Sequence, residues 1–160
     1  MLIYLASRYS RYPEMQQVQA DLEAVGHTVT SRWIEGNHRM DYDGVSEDLD
    51  DLLKAECIIS FTELPRSAAM RGGRHVELGI GIGTKKKCVV IGPRENVFHC
   101  LPIIEWYPDY QAFARVFLNR SLQLVCDCGF EYSISKDKNP AEIASHKVCI
   151  CGQTMKEVAA

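Results

Sequence analysis

GGRHVELGIGIG, residues Gly72–Gly83, runs directly into the basic KKK and then CVVIG. This succession predicts a helix from about Arg74 to Thr84, a lysine-marked exit and a buried strand from Cys88 to Gly92. Gly79, Gly81 and Gly83 each cost helix propensity, about 1 kcal/mol apiece, so they imply close backbone packing or a helix that ends early. Within the segment sits a single carboxylate, Glu77. It reads either as a surface acid in a first helical turn, favoured by the helix dipole, or as a nucleophile held at a helix start over a pocket.

Working outward, CIISF (Cys57 to Phe61) reads as another buried strand, reached from a helix that Ser46 caps and that runs through Leu49, Leu52 and Leu53. LIYLA (Leu2 to Ala6) opens the chain as a short apolar strand. A helix from Pro13 follows, with Met15, Val18, Leu22 and Val25 on one stripe and Gly26 as its stop. HTVTSRW (His27 to Trp33) reads as a second strand and Ile34 to Gly44 as a long loop. PIIEWY (Pro102 to Tyr107) reads as a last strand, and a helix from Asp109 to about Asn119 carries Tyr110, Phe113, Ala114 and Phe117 on one face. Short apolar strands alternating with helices specify an α/β fold, a parallel sheet of about five strands covered on both faces. Ligands of such sheets lie beyond the carboxyl ends of the strands. That rule marks the loops after LIYLA, after the second strand, and TELPRSAAMRGG.

At 160 residues and a formal charge of -3, the chain has no global field that would draw it to nucleic acid or an anionic membrane. It has neither a spanning apolar stretch nor a secretory leader pattern, so a soluble, cytoplasmic protein is expected. Four of its seven cysteines form two C-x-C pairs, Cys126 with Cys128 and Cys149 with Cys151, each followed by a glycine. Two thiol pairs on separate turns fit tetrahedral, structural Zn(II); the plain alternative is four untethered thiols. The usual pair has two residues between its cysteines, and this chain has one. From Leu122 onward the sequence cannot bury much of a core, so a metal would hold a zinc-ribbon-like module. Residues 1–120 and 121–160 are accordingly read as two domains.

IYLAS, DLDDLLKAECIIS and GGRHVELGIGIGTKKKCVVIG, in that order and spacing, resemble the nucleoside 2-deoxyribosyltransferase family and its relatives, the 2'-deoxynucleoside 5'-phosphate N-hydrolases. The resemblance covers roughly Met1 to Asn119 and leaves out the cysteine-bearing tail. It implies a flavodoxin-like, doubly wound sheet, with Glu77 as nucleophile and Asp48 and Tyr4 as its partners. It further implies cleavage of a base–sugar bond through a glycosyl-Glu77 ester, with no cofactor needed for catalysis. A carboxylate can capture the oxocarbenium-like centre at C1' in this way.

Six residues before the glutamate, where the family has an aspartate or a serine, this chain has Arg71. An arginine suits a 5'-phosphate, so Ser7, Arg8, Ser67, Arg71, Gly73 and Arg74 are read as a phosphate-binding rim for a nucleoside monophosphate. The alternative is that these arginines are solvated or pair with Glu63. His75 is expected to point away from Glu77, and Trp33, His38 or Asp41 to select the base. A homo-oligomer is expected, a membrane or nucleic-acid partner is not. A different class of protein also fits: a nucleotide-sensing or nucleic-acid-binding module without catalysis, whose ribbon contacts a partner.

Overall fold

The structure, a computed structural model, describes residues 1–36, 41–63, 72–118, 121–135, 147–149 and 151–158. The chain divides into two compact units, Met1–Leu118 and Asn119–Ala160.

The first unit runs β1 (Leu2–Ala6), α1 (Tyr12–Ala24), β2 (Thr28–Val29), α2 (Tyr42–Lys54), β3 (Cys57–Phe61), α3 (Gly73–Gly83), β4 (Lys87–Ile91), β5 (Ile104–Tyr107) and α4 (Tyr110–Phe117). All strand pairs are parallel and the order is β2-β1-β3-β4-β5. This is the flavodoxin-like, doubly wound order. Every residue of β3 is buried, as its unbroken apolar run requires of a strand covered on both faces.

Register places Tyr4 beside Ile58 and Ile58 beside Cys88, so these three share a face. Helix α3 lies on that face. A Cβ at Gly81 would stand 2.7 Å from Ile58 Cγ1 and 3.2 Å from Cys88 Sγ, whereas Gly79 and Gly83 have open space. Of the three glycines, then, one is there for close packing. The opposite face carries Phe61 and the aromatic cluster of α4. Phe113 packs edge-on to Tyr107 at 5.4 Å and stacks on Phe117 at 4.6 Å, and Tyr110 Oη donates to Asp21 on α1 at 2.7 Å. Met15, Val18 and Leu22 of α1 are buried, as their stripe predicts.

Two local readings need correction. Strand β2 is only Thr28–Val29, and Arg32–Glu35 form a 3-10 turn instead of continuing it. Side chains supply the missing ladder: the Leu5 N–H donates to Ser31 Oγ at 2.7 Å, and Trp33 Nε1 donates to the Leu5 carbonyl at 2.9 Å. Helix α2 begins at Tyr42, not after Ser46. Asp41 is its cap and accepts from the Gly44 N–H at 3.0 Å, a bond that satisfies an orphan amide of the first turn. Residues 37–40 of the expected loop lie outside the described residues.

In the second unit β6 (Ser121–Val125) pairs antiparallel with β7 (Glu131–Ser135) and with β8 (Lys156–Val158). Its buried apolar cluster among the described residues is Leu124, Cys126, Cys149 and Met155. No helix among the described residues is long and apolar enough to cross a membrane.

Candidate active site and cysteine cluster

Tyr4, at the centre of β1, is fully buried, and its hydroxyl donates to Glu77 Oε1 at 2.8 Å. Glu77 is set a full turn inside α3, and the first turn of that helix holds no acid. The reading of Glu77 as an acid in a first helical turn, favoured by the helix dipole, is therefore overturned. Burial pushes its carboxyl up to about 7; the Tyr4 hydrogen bond opposes this, the Asp48 charge adds to it and the Arg74 charge subtracts. Asp48 is half-buried in the second turn of α2, also further along than the sequence suggested. Burial, then the charges of Glu77 and Asp48, hold the Tyr4 hydroxyl far above its ordinary range, so it stays a proton donor. Three segments far apart in sequence thus bring Tyr4, Asp48 and Glu77 within electrostatic reach of one another.

The expected phosphate rim divides. Ser7 Oγ, just past the end of β1, is buried and finds no hydrogen-bond partner among the described residues. Arg8 Nε stands 3.1 Å from Glu63 Oε1, the pairing foreseen as its alternative. Gly73 is the exposed first residue of α3. Arg74 is corrected: it is 3 % exposed, with Nη2 and Nε on Glu95 at 2.7 and 3.3 Å, so it is a buried ion pair and not a rim cation. Ser67 and Arg71 lie outside the described residues, as does His38. Trp33 is buried and fastened to the β1 backbone, and Asp41 is a helix cap, so neither is placed as a base selector. His75 turns to Glu95, with Nε2 3.3 Å from Oε2.

One residue was missed. Arg11 lies in the turn after β1, its guanidinium 5.5 Å over the Phe61 ring at the end of β3. Nε and Nη2 donate to Glu14 at 2.8 and 2.7 Å, while Nη1 is buried without a partner among the described residues. The signal was available: Arg11 lies in SRYSRY, the loop that the strand-end rule had already marked.

In the second unit the sulfurs of Cys126, Cys128, Cys149 and Cys151 all lie within 4.8 Å of one another. Cys126 and Cys151 approach to 3.5 Å, Cys128 and Cys149 to 3.6 Å. Tetrahedral zinc thiolate bonds of about 2.3 Å place sulfurs about 3.8 Å apart, so the donor set fits such an ion.

Neither a family model nor a curated protein matches this chain. Solved structures do. A 2-deoxyribosyltransferase from Bacillus psychrosaccharolyticus aligns with a TM-score of 0.54 at 17% identity, covering 69% of this chain and 88% of its own. A CMP N-glycosidase from Clostridium botulinum gives 0.52 at 19%, covering 72% and 96%, and a 2-deoxyribosyltransferase from Leishmania mexicana gives 0.55 at 14%, covering 74% and 97%. The chain therefore has the fold of these proteins.

Proposed function

We propose that the protein is an enzyme that cleaves the N-glycosidic bond of a nucleoside 5'-monophosphate, passing the sugar to water or to a second base. The observation that carries this reading is the Tyr4–Glu77 hydrogen bond, with Asp48 close by, on a sheet whose solved likenesses are named for this chemistry. As the bond from C1' to the base nitrogen breaks, its electron pair leaves with the base. A Glu77 carboxylate oxygen bonds to C1', forming a glycosyl ester. Tyr4 orients that oxygen; Asp48 bonds the departing base or hands it a proton. Water or a base then attacks C1' and frees Glu77. A carboxyl near 7 is part ionised at neutral pH, enough to act as nucleophile while remaining a good leaving group.

Ser7 Oγ and Arg11 Nη1, both buried and without a hydrogen-bond partner among the described residues, support a phosphate at the carboxyl ends of β1 and β3. Arg8, Gly73, Ser67 and Arg71 remain candidates for the same rim. The CMP N-glycosidase likeness agrees with a nucleotide substrate. The four cysteines would hold structural Zn(II), making residues 121–160 a ribbon that takes no part in the chemistry. Seven unpaired cysteines suit a reducing, cytoplasmic setting. A homo-oligomer belongs to the same reading: Tyr42, Val45, Leu49 and Leu53 form an exposed apolar stripe along α2. A purely sensing module would leave the buried tyrosine–glutamate pair without a task.

The test is incubation with deoxy- and ribonucleoside monophosphates, with and without an added free base, followed by chromatography. Base release is expected, with exchange products only if the enzyme transfers. Release from no nucleotide or nucleoside overturns the reading.

A further inference from the structure

Glu95 follows β4, just before the 3-10 turn Val97–Cys100, and is 4 % exposed. Its carboxylate takes Arg74 Nη2 at 2.7 Å and Nε at 3.3 Å, His75 Nε2 at 3.3 Å, and the Glu63 N–H at 3.2 Å. Its own N–H donates to Nδ1 of the buried His99 at 3.3 Å, and the His75 and His99 rings lie 5.7 Å apart. One side chain thus joins the end of β3, the first turn of α3 and the segment after β4. Burial alone would raise Glu95, but bonds from Arg74 and the Glu63 amide, with the charges of Arg74 and His75, hold it below the usual carboxylate range.

A buried ion pair is weak evidence of stabilisation, because desolvation offsets most of the attraction. Its placement suggests a different use. Arg74 precedes Glu77 by three residues, so both project from one side of α3, and the Arg74 charge reaches Glu77. How much of that charge Glu77 feels depends on how fully Glu95 cancels it.

We propose that Glu95 is a positioning residue for Glu77: it anchors the first turn of α3 through Arg74 and His75, and it sets the net positive charge that the nucleophile experiences. The inference rests on the reading of Glu77 as nucleophile. It assigns no substrate contact to Glu95 itself.

The test is a carboxyl-carbon NMR titration of the full chain, with the Glu77 signal identified by its loss in E77Q. In E95Q, Arg74 loses its counter-charge, which favours the Glu77 carboxylate. The Glu77 midpoint is expected to fall by on the order of half a pH unit. The acid limb of kcat should move down with it, and kcat should drop about tenfold while KM changes less than about twofold. In the double variant R74Q/E95Q both charges are gone, and the midpoint is expected to return towards the wild-type value. E95D, which keeps the charge but shortens its reach, should hold the wild-type midpoint and lower kcat. An unchanged Glu77 midpoint in folded E95Q overturns the proposal. If E95Q fails to fold, wild-type kcat and KM in E95D overturn it instead. A titration shift without base release by the wild type counts against the glycosidase reading alone.

Discussion

At the residue scale, the proposed nucleophile Glu77 comes at a cost to stability. Its folded carboxyl, near 7, holds a proton more tightly than in an unfolded chain, so its ionisation disfavours the fold as pH rises from about 4.5 through 7. E77Q should end base release, a loss of at least about a thousandfold. It should also stabilise the fold at pH 8 by up to about 3 kcal/mol, read as a higher Tm, with the gap narrowing towards pH 5. A Tm difference that widens on acidification contradicts this assignment. Tyr4 acts in the other direction, since its hydrogen bond favours the carboxylate. In Y4F the acid limb of kcat/KM should move up, with activity at pH 6.5 reduced about tenfold or more; a profile superimposable on wild type excludes the role. Tyr4, Asp48 and Glu77 were grouped in sequence through the family resemblance, and the structure brings the three within electrostatic reach of one another. Arg74 was misread because its partner Glu95 lies 21 residues away, and nothing local announces that the two are buried together.

At the element scale, apolar runs and helical stripes located β1, α1, β3, α3, β4, β5 and α4. Boundaries were less legible where side chains replace backbone. The second strand looks longer in sequence than it is because Ser31 and Trp33 bond the β1 backbone in its place. Ser46 and Asp41 are both competent caps, and only the fold selects Asp41. The close contact of α3 with the sheet at Gly81 yields a quantitative expectation. Gly81→Ala forces a methyl against Ile58 and Cys88 and should cost about 1–3 kcal/mol, measured by denaturant midpoint. Gly79→Ala, in open space, should be neutral or stabilising by up to about 1 kcal/mol. Equal effects at the two positions would mean that α3 sits further from the sheet than described.

At the scale of the whole molecule, the two units depend on different forces. The first has a sheet covered on both faces. In the second, the buried apolar cluster among the described residues is Leu124, Cys126, Cys149 and Met155, two of them cysteines of the set that fits a metal ion. The full chain should bind one zinc ion, and C128S should lower that stoichiometry towards zero. A strong chelator should abolish the unfolding transition of the second unit while base release continues. Loss of base release on chelation would move the metal from a structural to a chemical role. The C-x-C pairs made the cluster legible in sequence, because ligand spacing is a local property. The exposed stripe on α2 was not, because exposure depends on everything that packs around it. The order β2-β1-β3 also puts β1, the earliest of these five strands along the chain, in the interior of the sheet. As the chain leaves the ribosome, LIYLA emerges with two open edges, and Cys57–Phe61 must be translated before the second is closed. Newborn copies therefore pass through an interval in which an apolar strand edge is open to pairing with other chains.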